Sequence, residues 1–269
     1  MTELISLIGQ RLTERWATVV LLPGLLYVLI GGCALTVGHA HALDALYLTK
    51  ALNTSWQRIV GHAPAGPLLS LAALFGLAIL SGVTATFLAG RVHSLWVMSG
   101  PQRWVERRQR KTMRAWASRE PRPPTRYLPR RATSIGDTFR LVGERIHAHY
   151  GLSVLLAWPR IWILASPDTR TLVTTAYQRY HSDAVIAAWA LLYLPLAAWW
   201  WPAALIATAT AVIGYRRARG SASSLASLIE ATADTHQHQL AAALGVPLPE
   251  GRITPVQGAH INKDINKQA

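Results

Sequence analysis

The side chains best able to do chemistry in this chain are histidines and carboxylates, and they gather in two places. His39-Ala40-His41, with Asp44 three residues on and His62 further along, could ligate a metal or titrate near neutral pH. No thiol joins them and Asp44 is the one nearby carboxylate, so polar loop residues are the better reading. Glu230, Asp234 and His238 recur at i, i+4 and i+8, with His236 beside them. On a helix these would line one face and offer oxygen and nitrogen ligands. Leu225, Leu228, Ile229, Leu240 and Leu244 make the same segment an ordinary amphipathic helix, whose polar side would carry such residues anyway. The single cysteine, Cys33, lies in an apolar run that suppresses its thiolate, which fits a packing residue. The sequence contains no glycine-rich phosphate loop, nucleophile elbow, paired carboxylates or zinc-ligand spacing. No catalytic, cofactor-binding or metal-binding residue is therefore assigned, and a non-enzymatic role is expected.

The elements that would position these residues are set by three stretches without a charge: 17–38, 67–90 and 184–215. At about 1.5 Å of rise per helical residue, the first two reach about 33 to 36 Å, against a hydrocarbon core of about 30 Å. Only 15% of the chain is charged, against about 25% in a soluble domain, a shortfall that lipid-facing surface would produce. An all-α integral membrane protein is expected. The third stretch is too long for one span and divides at Trp199-Trp200-Trp201-Pro202, because Trp concentrates at membrane interfaces and Pro opens helices. Four spans follow, with a bent single span or a re-entrant hairpin as the alternatives for 184–215. The apolar run beginning at residue 17 is too long for the core of a cleaved signal peptide.

Charge placement orients the spans. Of the 27 Lys and Arg, 17 fall in 91–183 and two, Lys50 and Arg58, in 39–66. The positive-inside rule puts 91–183 and both termini in the cytoplasm of an inner (plasma) membrane protein. Residues 1–16 read as an amphipathic helix, lying at the membrane interface or packed on the protein's own cytoplasmic part. Leu43, Leu46, Leu48, Leu52, Trp56 and Ile59 suggest another within the outside loop 39–66. Ala78, Gly82, Thr86 and Gly90 form a small-residue stripe for close helix packing. Pro23-Gly24 and Gly31-Gly32 mark close approach or a kink in the first span.

Gly100-Pro101 breaks the helix leaving the second span. A basic helix over 102–118 then carries Arg103, Arg107, Arg108, Arg110, Lys111 and Arg114 among Trp104, Val105, Met113 and Trp116. On anionic headgroups each basic residue contributes on the order of 1 kcal/mol. Nucleic acid is the sharper reading of Arg mixed with aromatics, but membrane topology already accounts for the charge. Residues 119–131 read as an extended Pro-rich linker. Thr133 or Ser134 caps a helix that Gly151 stops after Tyr150. The run 152–165, with Trp158, Arg160 and Trp162, fits either a buried strand pair or helical segments docked at the membrane face, the second being preferred. A helix from Pro167 runs to Asp183 and into the third span. Residues 216–269 give a C-terminal helix and, beyond Gly245, a polar frayed tail.

Tyr150-Gly151-Leu152, Trp158-Pro159-Arg160 with Trp162, the Trp-rich hairpin and Leu244-Gly245-Val246-Pro247-Leu248-Pro249 carry a resemblance. Over about residues 125–250 the chain resembles a family of uncharacterised multi-pass membrane proteins of high-GC actinobacteria. The resemblance implies the membrane hairpin and brings no activity or site residues. The expected role is an interaction or anchoring protein whose Arg-rich face binds anionic lipid or an acidic partner, with a small-residue face that supports helix packing or self-association. The alternatives are an oligomeric pore-forming or membrane-perturbing component and a membrane factor handling DNA.

Overall fold

The computed structural model describes residues 21–42, 44, 46–47, 49–50, 53–54, 57, 66–117 and 124–266. The expected interfacial helix at 1–16, most of the outside loop and residues 118–123 lie outside the described residues. Those described form only helices and turns, with no strand among them. The helices are α1 (Leu22–Val37), α2 (Gly66–Val97), α3 (Gln102–Trp116), α4 (Ser134–Tyr150), α5 (Val154–Leu164), α6 (Pro167–Leu196), α7 (Pro202–Ala243) and α8 (Pro255–Ile265). Among them α2 alone is long and apolar enough to cross a membrane by length and composition, and only 17% of its most apolar stretch is buried.

The chain divides into two compact units, one of residues 1–92 and 182–216, the other of 93–181 and 217–269. The first collects the uncharged stretches; the second collects most of the arginines.

In the first unit the buried seam of α2 is built from small residues, while Trp189 and Tyr193 of α6 are the large side chains buried with it. Ala78, Ser81, Gly82, Ala85 and Ala89 of α2 are buried, while Leu68, Leu69, Leu80 and Phe87 of the same helix are mostly exposed. At Gly24 of α1 a Cβ would lie 2.8 Å from the Ala78 carbonyl carbon and overlap its oxygen. At Gly214 of α7 a Cβ would lie 2.5 Å from the Ala187 backbone nitrogen of α6. Glycine is required at both points because two helix backbones meet there. Tyr27 of α1 donates to the Leu192 carbonyl at 3.2 Å and packs edge-on against Tyr193. The turn 197–201 separates α6 from α7, so 184–215 is two helices and not one bent helix. Pro202 opens the second, where its missing N–H costs no helical bond.

The second unit has an aliphatic core of the usual kind. Val142 and Ile146 of α4, Ile161 of α5, Leu240 of α7 and Ile253, Ile261 and Ile265 around α8 form one buried cluster. Thr133 caps α4, its hydroxyl accepting from the Gly136 N–H at 3.1 Å, and Gly151 ends that helix at φ 67°. The segment 152–165 is helical, which removes the strand-pair alternative: α5 buries Ala157 and Ile161 and tolerates Pro159 within it.

Two expectations are corrected here. The tail beyond Gly245 is not frayed: α8 docks on the end of α4, with Thr254 and Gln257 forming a capping box and Pro255 in the first turn. Asn262 accepts from the Ser153 N–H at 2.9 Å and donates to the Gly151 carbonyl at 2.8 Å, pinning α8 to the α4–α5 turn. The described part of the Pro-rich stretch, 124–131, is not a free linker either. Its carbonyls at Arg126, Leu128 and Pro129 accept from the side chains of Arg140 and Gln109.

Candidate functional site

The basic helix α3 takes its orientation from one buried carboxylate. Asp137, in the first turn of α4, is 4% exposed. Its Oδ1 accepts the backbone N–H groups of Arg130 and Arg131 at 2.9 and 3.1 Å, and Arg140 Nε at 3.2 Å. Its Oδ2 accepts from Arg108 Nη1 at 2.6 Å. Arg108 Nη1 also donates to the carbonyls of Arg131 and Thr133. A negative charge there also suits the positive end of the α4 dipole. Arg108 is thus withdrawn from the expected lipid-binding set, because it neutralises an interior carboxylate.

With Arg108 turned inward, the rest of α3 is fixed by helical geometry. Val105, Arg108, Gln109, Thr112 and Trp116 are partly buried on one side. Arg103, Arg107, Arg110 and Arg114 recur at i, i+4, i+7 and i+11 on the opposite side, all exposed. The stripe they make is about 16 Å long at helical rise. Exposed Trp104 and Lys111 flank it on one edge, Glu106 and exposed Met113 on the other. Glu106 reaches Arg110 at 3.9 Å, a solvent-exposed pair that neutralises little. Chemically this face is a cationic strip with one exposed apolar side chain on each edge, Trp104 and Met113, suited to a plane of phosphates.

The other candidates have structural duties. Glu230 receives Arg145 in a two-pronged pair at 2.7 and 2.6 Å, which holds the Arg145 guanidinium above its ordinary pKa. Asp234 accepts from the Tyr150 hydroxyl at 2.9 Å. Burial, then this carboxylate, push the Tyr150 phenol up to about 12. Two of the three residues at i, i+4, i+8 are therefore spent on bonds to α4, and His238 is exposed. His39 Nε2 lies 2.9 Å from the Ala198 carbonyl, and His41 stacks on Tyr47. No group of metal ligands occurs among the described residues, and His62 lies outside them.

The expected packing stripe is half right. Ala78 and Gly82 are buried, Thr86 is half-buried and Gly90 is on the exposed side. A strict four-residue repeat drifts about 40° per step on a helix of 3.6 residues per turn. The buried seam instead continues through Ala85, Ala89 and Val92. Of the Trp residues expected at an interface, Trp199 and Trp201 are exposed, and Trp200 Nε1 donates to the Ala42 carbonyl at 3.1 Å. Trp158 and Trp162 lie with ring centroids 6.0 Å apart along a groove in the second unit. Between them Arg160 donates to the Leu156 carbonyl of its own helix. Sequence reasoning missed Asp137, Arg140, Asn262 and this groove; for Asp137 the signal was an acidic residue in the first turn behind a Thr cap.

No known protein family, characterised protein or solved structure matches this chain.

Proposed function

We propose that the chain is an integral inner-membrane protein of non-enzymatic, anchoring type, whose α3 strip binds the anionic lipid of the cytoplasmic leaflet. Four spans, at 17–38, 67–90 and the two halves of 184–215, cross the bilayer. The termini and the second unit lie in the cytoplasm. The resemblance to multi-pass actinobacterial proteins accords with this and supplies no activity.

The observation that carries the reading is the inverted sorting of side chains along α2. Leu69, Leu80 and Phe87 are 69%, 62% and 70% exposed, while Ala78, Ala85 and Ala89 are fully buried. Water would drive the large apolar groups in and leave alanine outside. In lipid that drive vanishes and small residues let backbones close up. The core of the second unit sorts the ordinary way, with Ile146, Leu240, Ile253 and Ile261 buried together. On the proposed topology 25 of the 27 Lys and Arg are cytoplasmic.

The lipid-binding claim is tested on the full chain with an environment-sensitive dye on Met113→Cys in a Cys33→Ala background. In nanodiscs of phosphatidylcholine with one-third phosphatidylglycerol the dye emission shifts to the blue. In phosphatidylcholine alone, or after Arg103, Arg107, Arg110 and Arg114 are changed to Glu, the shift is lost. Emission independent of lipid charge and of the four substitutions refutes lipid binding and leaves an acidic protein partner as the reading of the strip.

A further inference from the structure

Within the second unit α5, the first half of α6 and the second half of α7 enclose an open groove of about 540 Å³. Trp158 and Trp162, Val173 and Tyr177, and Leu225 and Ile229 form its walls. Its volume falls within the roughly 300–1,000 Å³ of small-molecule sites, and almost all of the lining is carbon, so an occupant must be apolar along its length. One end differs. Arg170 lies one turn before Val173 and Thr174 on the same face of α6, and its Nη2 donates to the Ile163 carbonyl, next to Trp162, at 2.6 Å. The Nε of this guanidinium is buried and meets no acceptor, the one such side-chain atom among the described residues. A buried donor left unpaired is costly, so turning the guanidinium toward an anionic oxygen in the groove would relieve that cost.

We propose that the groove holds an acyl chain of an anionic phospholipid whose phosphate is bound by Arg170. An apolar trough with a cation one helical turn before its lining residues Val173 and Thr174 matches a molecule that is hydrocarbon along its body and anionic at one end. The exposed apolar side chains of Ile163 and Leu172, next in sequence to the lining residues Trp162 and Val173, suit a donor surface that is itself lipid. The choice of a bilayer phospholipid over a soluble amphiphile rests on the membrane reading above; the groove is separate from the α3 strip.

The test uses the purified full chain in maltoside micelles and phosphatidylglycerol carrying a diazirine at the end of one acyl chain. After irradiation, peptide mass spectrometry maps the adducts. Adducts are expected on the groove peptides containing Trp158, Trp162 or Leu225, as well as on the apolar face of α2. Unlabelled phosphatidylglycerol competes for the groove at least ten-fold better than phosphatidylcholine. Arg170→Gln lowers groove labelling about ten-fold, and Thr174→Trp, which fills the groove from an exposed position, abolishes it without changing labelling of α2. Labelling of α2 with none in the groove overturns the site and leaves the membrane reading standing, whereas absence of labelling on α2 overturns that reading as well. Groove labelling indifferent to Arg170→Gln, or displaced equally well by inorganic phosphate or a free fatty acid, overturns the phospholipid assignment.

Discussion

Arg108 and Asp137, 29 residues apart in sequence, meet at 2.6 Å, and that contact decides which side of α3 faces out. Asp137 is nearly buried and also balances Arg140, so removing it takes the carboxylate from two guanidiniums and the acceptor from two backbone N–H groups. Asp137→Ala is expected to cost about 3 kcal/mol, in the range for breaking a buried ion pair. Arg108→Gln costs less, since Arg108 keeps part of its side chain in solvent. Changing Arg103, Arg107, Arg110 and Arg114 together to Gln moves stability by less than about 1 kcal/mol, as exposed sites do. Thermal unfolding in detergent, followed by circular dichroism, separates the inward arginine from the outward four.

Gly24 and Gly214 mark two places where helix backbones meet in the first unit. Gly24→Ala and Gly214→Ala are expected to lower the unfolding temperature, because the added methyl meets backbone and not a movable side-chain tip. Gly32→Ala and Gly76→Ala are the controls: a Cβ at either position meets nothing within 4 Å. There alanine's better helix propensity gives a neutral or slightly stabilised protein.

Asn262 and Ile261 hold α8 in place from its polar and apolar sides. Ile261 is completely buried, and Ile261→Ala should cost about 3 kcal/mol. Asn262→Asp keeps an acceptor for the Ser153 N–H but turns a carboxylate oxygen toward the Gly151 carbonyl, so it is more damaging than its size suggests. Limited proteolysis reads both: cleavage between 246 and 254 accelerates in each variant.

Tyr150 ties stability to alkaline pH. The free phenol titrates near 10, and in the folded chain it is pushed up to about 12 by burial and the Asp234 carboxylate. Folding therefore favours the protonated form. Its contribution is complete below pH 10 and is lost as pH rises through 12. The wild-type unfolding temperature should fall more steeply across pH 10–12 than that of Tyr150→Phe. The variant starts lower by the value of one hydrogen bond, about 1 kcal/mol.

What the sequence reveals and what it hides follow from range. The caps of α4 were legible because Thr133 and Gly151 act on their own helix. The break at Trp199–Pro202 was legible because three consecutive Trp suit an interface and Pro202 suits the first position of a helix. The C-terminal helix was legible in principle: Thr254-Pro255 with Gln257 is a capping box with Pro in the first turn, and Ile261 and Ile265 share a face. Polar neighbours masked that pattern. The inward turn of Arg108 was not legible, since nothing local distinguishes it from Arg107 or Arg110; its partner lies on another helix. Nor was the groove, whose walls come from three helices spread over about 70 residues.

Leu80, near the middle of α2 and 62% exposed, offers the most direct measurement. A spin label on Leu80→Cys in a Cys33→Ala background, reconstituted in lipid bilayers, reports whether its surroundings are hydrocarbon or water. High accessibility to oxygen and low accessibility to a nickel chelate is the expected result. A label readily reached by the nickel chelate would mean that water bathes this leucine face, and the membrane assignment would fall.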